Sequence, residues 1–203
     1  MQEFKKIDIH KMSKIYRLNL INSITGYKSA NLIGTKTDAK TNNVAVFSSI
    51  IHLGSNPPLI GFILRPTTVP RHTYENIHKY GYFTLNQISK SQVKSAHQTS
   101  AKYPKDNSEF TETGLDHEYK DDIEAPFVKN SPIQVGCSYI NEYKIIENDT
   151  IFIIGKIEII YVNDNLLLDD GFVQLDKGQI VTINGLDGYA LPELIKRFSY
   201  ARP

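Results

Sequence analysis

The sequence predicts a mainly β domain, a β-barrel with a few helices, and three observations predict it. Hydrophobic residues come in short runs bounded by turn residues. Those runs are rich in Ile, Val, Tyr and Thr, the side chains that suit a pleated, half-buried surface. The two longest, 133–146 and 150–162, are separated only by Glu147-Asn148-Asp149, a polar turn suited to a long antiparallel hairpin. In chain order the predicted strands are 27–35, 43–48, 59–64, 82–86, 133–146, 150–162 and 179–183. Within the sixth, Thr150-Ile151-Phe152-Ile153-Ile154 is apolar almost throughout, which predicts burial on both faces, by the core and by a partner subunit. Helical period appears at 73–80, 91–100 and 192–198. In the first of these Tyr74 and Ile77 share a face and Thr73 fits an N-cap. Residues 106–124 are charged and poor in β-branched side chains, so they are expected to leave the barrel as an excursion. There is no repeat, linker or low-complexity tract, and residues 1–203 read as a single domain.

Composition narrows the function classes. The chain has 203 residues, 40% of them hydrophobic, enough for one sizeable core. Lys and Arg total 23 against 22 Asp and Glu, and a net charge of +1 offers no field for a polyanion, so nucleic acid is not an expected partner. The single cysteine, Cys137, has no internal disulfide partner and points to a reducing, cytoplasmic compartment. Residues 1–20 alternate basic and apolar side chains without a continuous apolar run, so neither a signal peptide nor a membrane anchor is expected.

Several kinds of chemistry can be set aside. None of the 12 glycines stands in a G-x-G arrangement, which removes the Rossmann and P-loop phosphate cradles. The histidines at 10, 52, 72, 78, 97 and 117 lack ligand spacing, so no metal site is expected. Cys137 lies in a predicted strand and reads as a buried, inert thiol. No side chain stands out as a catalytic acid, base or nucleophile. Two segments remain. In residues 43–59 a strand ends in Ser48-Ser49 and continues through Gly54 and Pro57-Pro58 into the next strand, offering hydroxyls and backbone N–H groups to a phosphate or a heteroaromatic ring. A plain strand end with solvated serines is the competing account. In residues 65–77, Arg65, Arg71, His72 and Thr73 lead into a predicted helix N-terminus, an anion-favouring position where arginine adds a fork that matches phosphate oxygens. A solvated basic turn capped by Thr73 competes with that reading.

Together these segments resemble the flavin reductase-like proteins of the FMN-binding split-barrel family. The resemblance rests on Ser48-Ser49, Asn56-Pro57-Pro58-Leu59, Thr73-Tyr74-Glu75-Asn76-Ile77 and Phe83-Thr84-Leu85-Asn86, in that family's order and spacing. Ala96-His97-Gln98-Thr99-Ser100-Ala101, Ser108-Glu109-Phe110 and the ending Arg197-Phe198-Ser199-Tyr200-Ala201-Arg202-Pro203 look like one branch of it. The resemblance implies a Greek-key split barrel that dimerises and holds FMN, or the larger FAD, at or near the subunit interface. Carried over by position, Phe47, Ser48 and Ser49 form the flavin-contacting strand end, and Ile51, His52, Leu53 and Gly54 flank the ring. Arg65, Arg71, His72 and Thr73 meet the flavin phosphate, and Asn86 adds a further contact. His97, Tyr200 and Arg202 approach the substrate side of the pocket. One departure stands out: Ala45 and Val46 occupy positions where the family usually has threonine or serine.

The implied activity is an NAD(P)H-dependent flavin reductase, in which the nicotinamide lies over the exposed flavin face and hydride passes to flavin N5. Flavin carries the hard chemistry, which accounts for the missing catalytic side chains. Backbone N–H groups of 49–54 are the candidates for meeting the negative charge that develops near N1 and the C2 carbonyl. The electron acceptor would be a partner monooxygenase, free flavin or another oxidant. Two other readings compete: an FMN-bound electron carrier that does not use NAD(P)H, and a split-barrel binding module for another ligand, haem being the poorer case because no histidine is placed as an axial ligand.

Overall fold

Seven antiparallel strands form the main sheet of the computed structural model, which describes residues 1–38, 41–104 and 106–202; Pro203, the end of the C-terminal motif, lies outside them. The strands are β2 (Asn31–Lys36), β3 (Asn42–Phe47), β4 (Ile51–Ser55), β5 (Pro58–Leu64), β6 (Tyr82–Gln87), β9 (Ile133–Ile145) and β10 (Thr150–Val162), in the order β3-β2-β6-β9-β10-β5-β4. A small second sheet joins β1 (Lys28–Ser29), β11 (Thr182–Asn184) and β12 (Gly188–Ala190), and β7 (His117–Glu118) pairs with β8 (Phe127–Val128).

Order and connectivity force the main sheet to curl. Laid flat, seven strands about 4.8 Å apart would set β3 and β4 roughly 29 Å from each other. The chain joins them through residues 48–50 alone, a path of about 15 Å at full extension. The sheet therefore closes on itself, with an open seam between β3 and β4. Inside it, Phe47, Phe62 and Phe83 pack edge to face, with centroids 5.4 and 5.5 Å apart. Gly155 makes room for this stack, since a Cβ there would sit 2.5 Å from the Phe83 ring. Each fully buried phenylalanine contributes about 1.5–3 kcal/mol of apolar burial. Cys137 is wholly buried in this core, and burial pushes its thiol far above the ordinary range, so it is inert.

At the seam, β5 outruns its partner: β4 pairs with residues 58–61 and stops. The Ser49 hydroxyl takes over where β4 leaves off, accepting from Ile63 N and donating to Ile63 O, both at 3.1 Å. One side chain thus substitutes for a strand residue and fixes the 48–50 crossing against β5.

Several sequence expectations need correction. The stretch expected as a loop after Ser49 contains β4, an edge strand whose Ile51, His52 and Leu53 are all exposed; with no core-facing alternation to read, it escaped the pattern. In β10, Ile151 and Ile153 are buried but Phe152 and Ile154 are only half-buried, because alternate residues point outward and one chain supplies no second layer over them. The helix expected at 73–80 is α3 (His72–Tyr80), ended by Gly81 at φ 75°. Its N-cap is Arg71; Thr73 is inside the helix and buried. The helix expected at 91–100 is a 3₁₀ turn, Lys90–Gln92, followed by α4 (Val93–Gln98). Residues 192–198 are not helical and form no regular secondary structure; Arg197 makes an ion pair to Asp170 at 2.7 Å and lies 4.0 Å over the Phe172 ring. Three helices were not expected: α1 (Lys6–Lys11) and α2 (Lys14–Ser23), neither with a buried residue, and α5 (Glu109–Thr113). Residues 106–124 add no strand to the main sheet, yet α5 (Glu109–Thr113) buries Glu109 and Phe110 against it. Among the described residues, no helix is long and apolar enough to cross a membrane.

Ser49→Ala should lower stability by about 1–3 kcal/mol, since it strands both Ile63 backbone groups; chemical denaturation measures this, and an unchanged midpoint would mean the bridge is dispensable. Gly34→Ala should cost at least as much, because its Cβ would lie 2.2 Å from the Pro126 carbonyl oxygen on the neighbouring segment.

Candidate functional site

The Ser49 bridge does more than close the barrel, because Ile63 is two residues from Arg65, about 7 Å along an extended strand. The seam crossing and the basic turn after β5 are therefore neighbours, and the two segments singled out in the sequence form one region. Phe47 is half-buried with its ring against Phe62, so it backs the site from within the core. Ser48 is half-buried and its hydroxyl has no hydrogen-bond partner among the described residues, whereas that of Ser49 is committed to Ile63. Ile51, His52 and Leu53 are exposed along β4, with Gly54 half-buried at a register irregularity. As the sheet edge, β4 directs alternate N–H groups away from β5 into the open seam.

The basic turn carries the clearest electrostatic signature. Arg71 Nε donates to Pro66 O at 3.1 Å, which aims the rest of the guanidinium away from the backbone. Burial, and then the charge of Arg65, make the Arg71 cation less favourable than usual. No carboxylate pairs with either arginine among the described residues. Two cations that repel each other, beside the first turn of a nine-residue helix, form a site that an anion would relieve.

Beneath that turn lies a polar network that the sequence did not disclose. Thr73 and Thr35 both donate to Asn43 Oδ1, at 3.1 and 3.2 Å, Asn76 Nδ2 donates to Thr35 Oγ1 at 3.0 Å, and Asn43 Nδ2 donates to Glu109 Oε2 at 2.7 Å. All five residues are buried. The Thr73 hydroxyl is thus spent on anchoring α3 to β3. The available signal was a polar pair, Asn42-Asn43, opening an otherwise apolar strand. A cleft of about 310 Å³ opens beside the network, walled by His72, Asn76 and Lys79 of α3 and by Asn107 and Glu109. It shares His72 with the predicted site but none of residues 47–54.

The remaining predicted residues are dispersed. Asn86 is fully buried, its amide donating to Leu32 O and Thr84 Oγ1 and accepting from Val128 N; it ties the 126–128 segment to the sheet, and none of it reaches the surface. His97 is exposed, its Nδ1 3.4 Å from the Tyr189 hydroxyl on β12. Tyr200 and Arg202 stand exposed on the tail. Among the described residues, no cluster of His, Cys, Asp or Glu could hold a metal.

Comparison with known proteins agrees with this architecture. A split-barrel protein of Shewanella frigidimarina, described as a candidate flavin reductase, is 44% identical and superposes with a TM-score of 0.95 over 99% of this chain and 100% of that one. Nitrilotriacetate monooxygenase component B of Bacillus cereus (20% identity, TM-score 0.83, 98% of each chain) shares the fold. So does flavoredoxin of Desulfovibrio vulgaris (22%, TM-score 0.75, 86% of this chain and 92% of that one). The family described as flavin reductase like domain matches residues 27–176, most of the chain and the whole main sheet, and the chain belongs to that family.

Proposed function

We propose that the protein binds FMN and works as an NAD(P)H-dependent flavin reductase. The observation that carries this reading is the arginine pair, Arg65 and Arg71, with no carboxylate partner among the described residues, beside the start of α3 and next to the open seam. A phosphate monoester carries nearly two negative charges at neutral pH and three acceptor oxygens, which suits two guanidiniums at a helix N-terminus. That argues for FMN, whose phosphate is terminal, over FAD. Bound flavin would supply the hydride-accepting chemistry.

The chain's own residues have the tasks of binding and orientation. Arg65, Arg71 and His72 hold the phosphate end, with Thr73 fixing the helix beneath it. The Ser48 hydroxyl and the outward N–H groups of β4 meet the polar edge of the ring, while Ile51 and Leu53 lie against its apolar part. Asn86 has no place in this arrangement. A role beside a monooxygenase, in a cytoplasmic setting, extends the same reading, and the fold shared with nitrilotriacetate monooxygenase component B makes it worth assaying.

Replacing Arg65 and Arg71 separately by alanine should identify the phosphate ligand: the critical variant loses roughly tenfold to a hundredfold in FMN affinity, as expected for a charge-assisted hydrogen bond. Riboflavin, which lacks the phosphate, should be almost indifferent, and equal losses for both ligands would reduce the arginines to supports of the fold. Anaerobic mixing of the flavin-loaded protein with NADH and NADPH should bleach the flavin absorbance. A protein that stays yellow with both nucleotides but is reduced by dithionite would instead be an electron carrier.

A further inference from the structure

In the motif Thr73-Tyr74-Glu75-Asn76-Ile77, the buried polar network uses Thr73 and Asn76 and the core uses Ile77, which leaves Tyr74 without a task. Its place on α3 supplies one. Tyr74 and His78 are four residues apart and so share a face of the helix, one turn from each other. Opposite that face stands Glu142 of β9.

Glu142 is out of character for its position in the sheet. Directly opposed residues of an antiparallel sheet stand on the same face, and Glu142 pairs with Ile153, which pairs with Phe62. Both of those side chains are fully buried. A carboxylate in a core-facing row is costly unless it is partnered. Here its two oxygens are divided between two side chains of α3: Oε1 accepts from the Tyr74 hydroxyl at 2.9 Å, and Oε2 lies 2.8 Å from His78 Nε2. The His78 ring packs in turn against two phenols, with centroids 4.4 Å from Tyr74 and 5.0 Å from Tyr139 of β9. Burial, and then Glu142, push the Tyr74 phenol up to about 12, so at neutral pH its hydroxyl stays a donor.

This contact adds what the polar network lacks. Thr73 and Asn76 tie α3 to β3 and β2, whereas Glu142 ties it to β9, on the far side of β6. Anchors on separate strands fix the roll of a helix about its axis, which an anchor on one side cannot do. Arg71 is the N-cap and His72 the first helical residue, so a roll of α3 would carry both away from Arg65, which follows β5.

We propose that Glu142 is a positioning residue of the anion site: by holding Tyr74 and His78 it sets the roll of α3, and with it the placing of Arg71 and His72 opposite Arg65. Its role toward a phosphate rests on the function proposed above. Glu142 acts through the helix and not on the ligand.

Full-length variants test this with two ligands that differ only in the phosphate. Tyr74→Phe and Glu142→Leu should each weaken FMN binding about threefold to tenfold and leave riboflavin binding nearly unchanged. Made together they should cost no more than Glu142→Leu alone, because hydroxyl and carboxylate serve one contact. Glu142→Gln should stay close to the parent, since its carbonyl oxygen still accepts from Tyr74 and its amide still meets His78. Equal losses for FMN and riboflavin would reduce the contact to support of the fold and overturn the proposal. So would an unchanged FMN affinity in Glu142→Leu, or a glutamine variant as weak as the leucine one. A parent that binds neither flavin overturns the reading on which the phosphate role rests. The latch is then decided by chemical denaturation: Tyr74→Phe should lower the midpoint of the parent but not that of Glu142→Leu, and an equal drop in both overturns it.

Discussion

The three-residue crossing from β3 to β4 is the constraint on which the rest of the architecture depends. Because residues 48–50 must join opposite edges of a seven-stranded sheet, the sheet can only be a barrel, and the barrel can only be split where those edges meet. A split seam is an exposed strand edge, which proteins ordinarily pair, cover or shorten. Here β4 is five residues long, and beyond it the Ser49 hydroxyl satisfies the Ile63 backbone that a longer strand would have paired. The same bridge ties the crossing to the strand that delivers Arg65 and the turn to Arg71. Closure of the fold thus also brings the Ser49 crossing next to the basic turn.

A second layer of organisation lies under the helix that follows. Burying five polar side chains is costly unless each finds partners, and here the network does so internally, with Asn43 at its centre and Glu109 reaching in from outside the sheet. What results is position: α3 is held by hydrogen bonds at Thr73 and Asn76 on one side and by Ile77 in the core on the other. A helix N-terminus is useful to an anion only if it does not move, and the network supplies that fixity. It also gives residues 106–124 a structural task. This charged excursion carries Glu109 to the carboxylate position that Asn43 and the Val44 N–H require.

Most of the sheet was legible in the sequence, and the failures share a cause. Strands with one buried face announce themselves by β-branched residues between turns, and all seven expected segments contain strand. β4 was not legible because its side chains face solvent, which removes the alternation. α1 and α2 carry no such pattern because none of their residues is buried in the chain, and at 192–198 a helical period is present without a helix, the segment being tied at Arg197 instead. At the site, the positions of Ser48 and Ser49 were legible but their division of labour was not. That depends on where β4 stops relative to β5, a register fact without local signature. Asn86 shows the reverse: a motif position whose amide is committed to three backbone and side-chain partners inside the sheet.

Net charge gave the least informative summary of this chain. A value of +1 excludes a long-range field for polyanions, yet it averages basic ends with an acidic body. Complementary charge mainly sets orientation and encounter, while apolar contact decides whether a complex lasts. Both are present on the same segments: the basic residues of the N-terminal arm and the tail are interleaved with Ile15, Ile24, Ile195 and Phe198. An arm of charge alone would find any acidic surface, and one of apolar residues alone would aggregate.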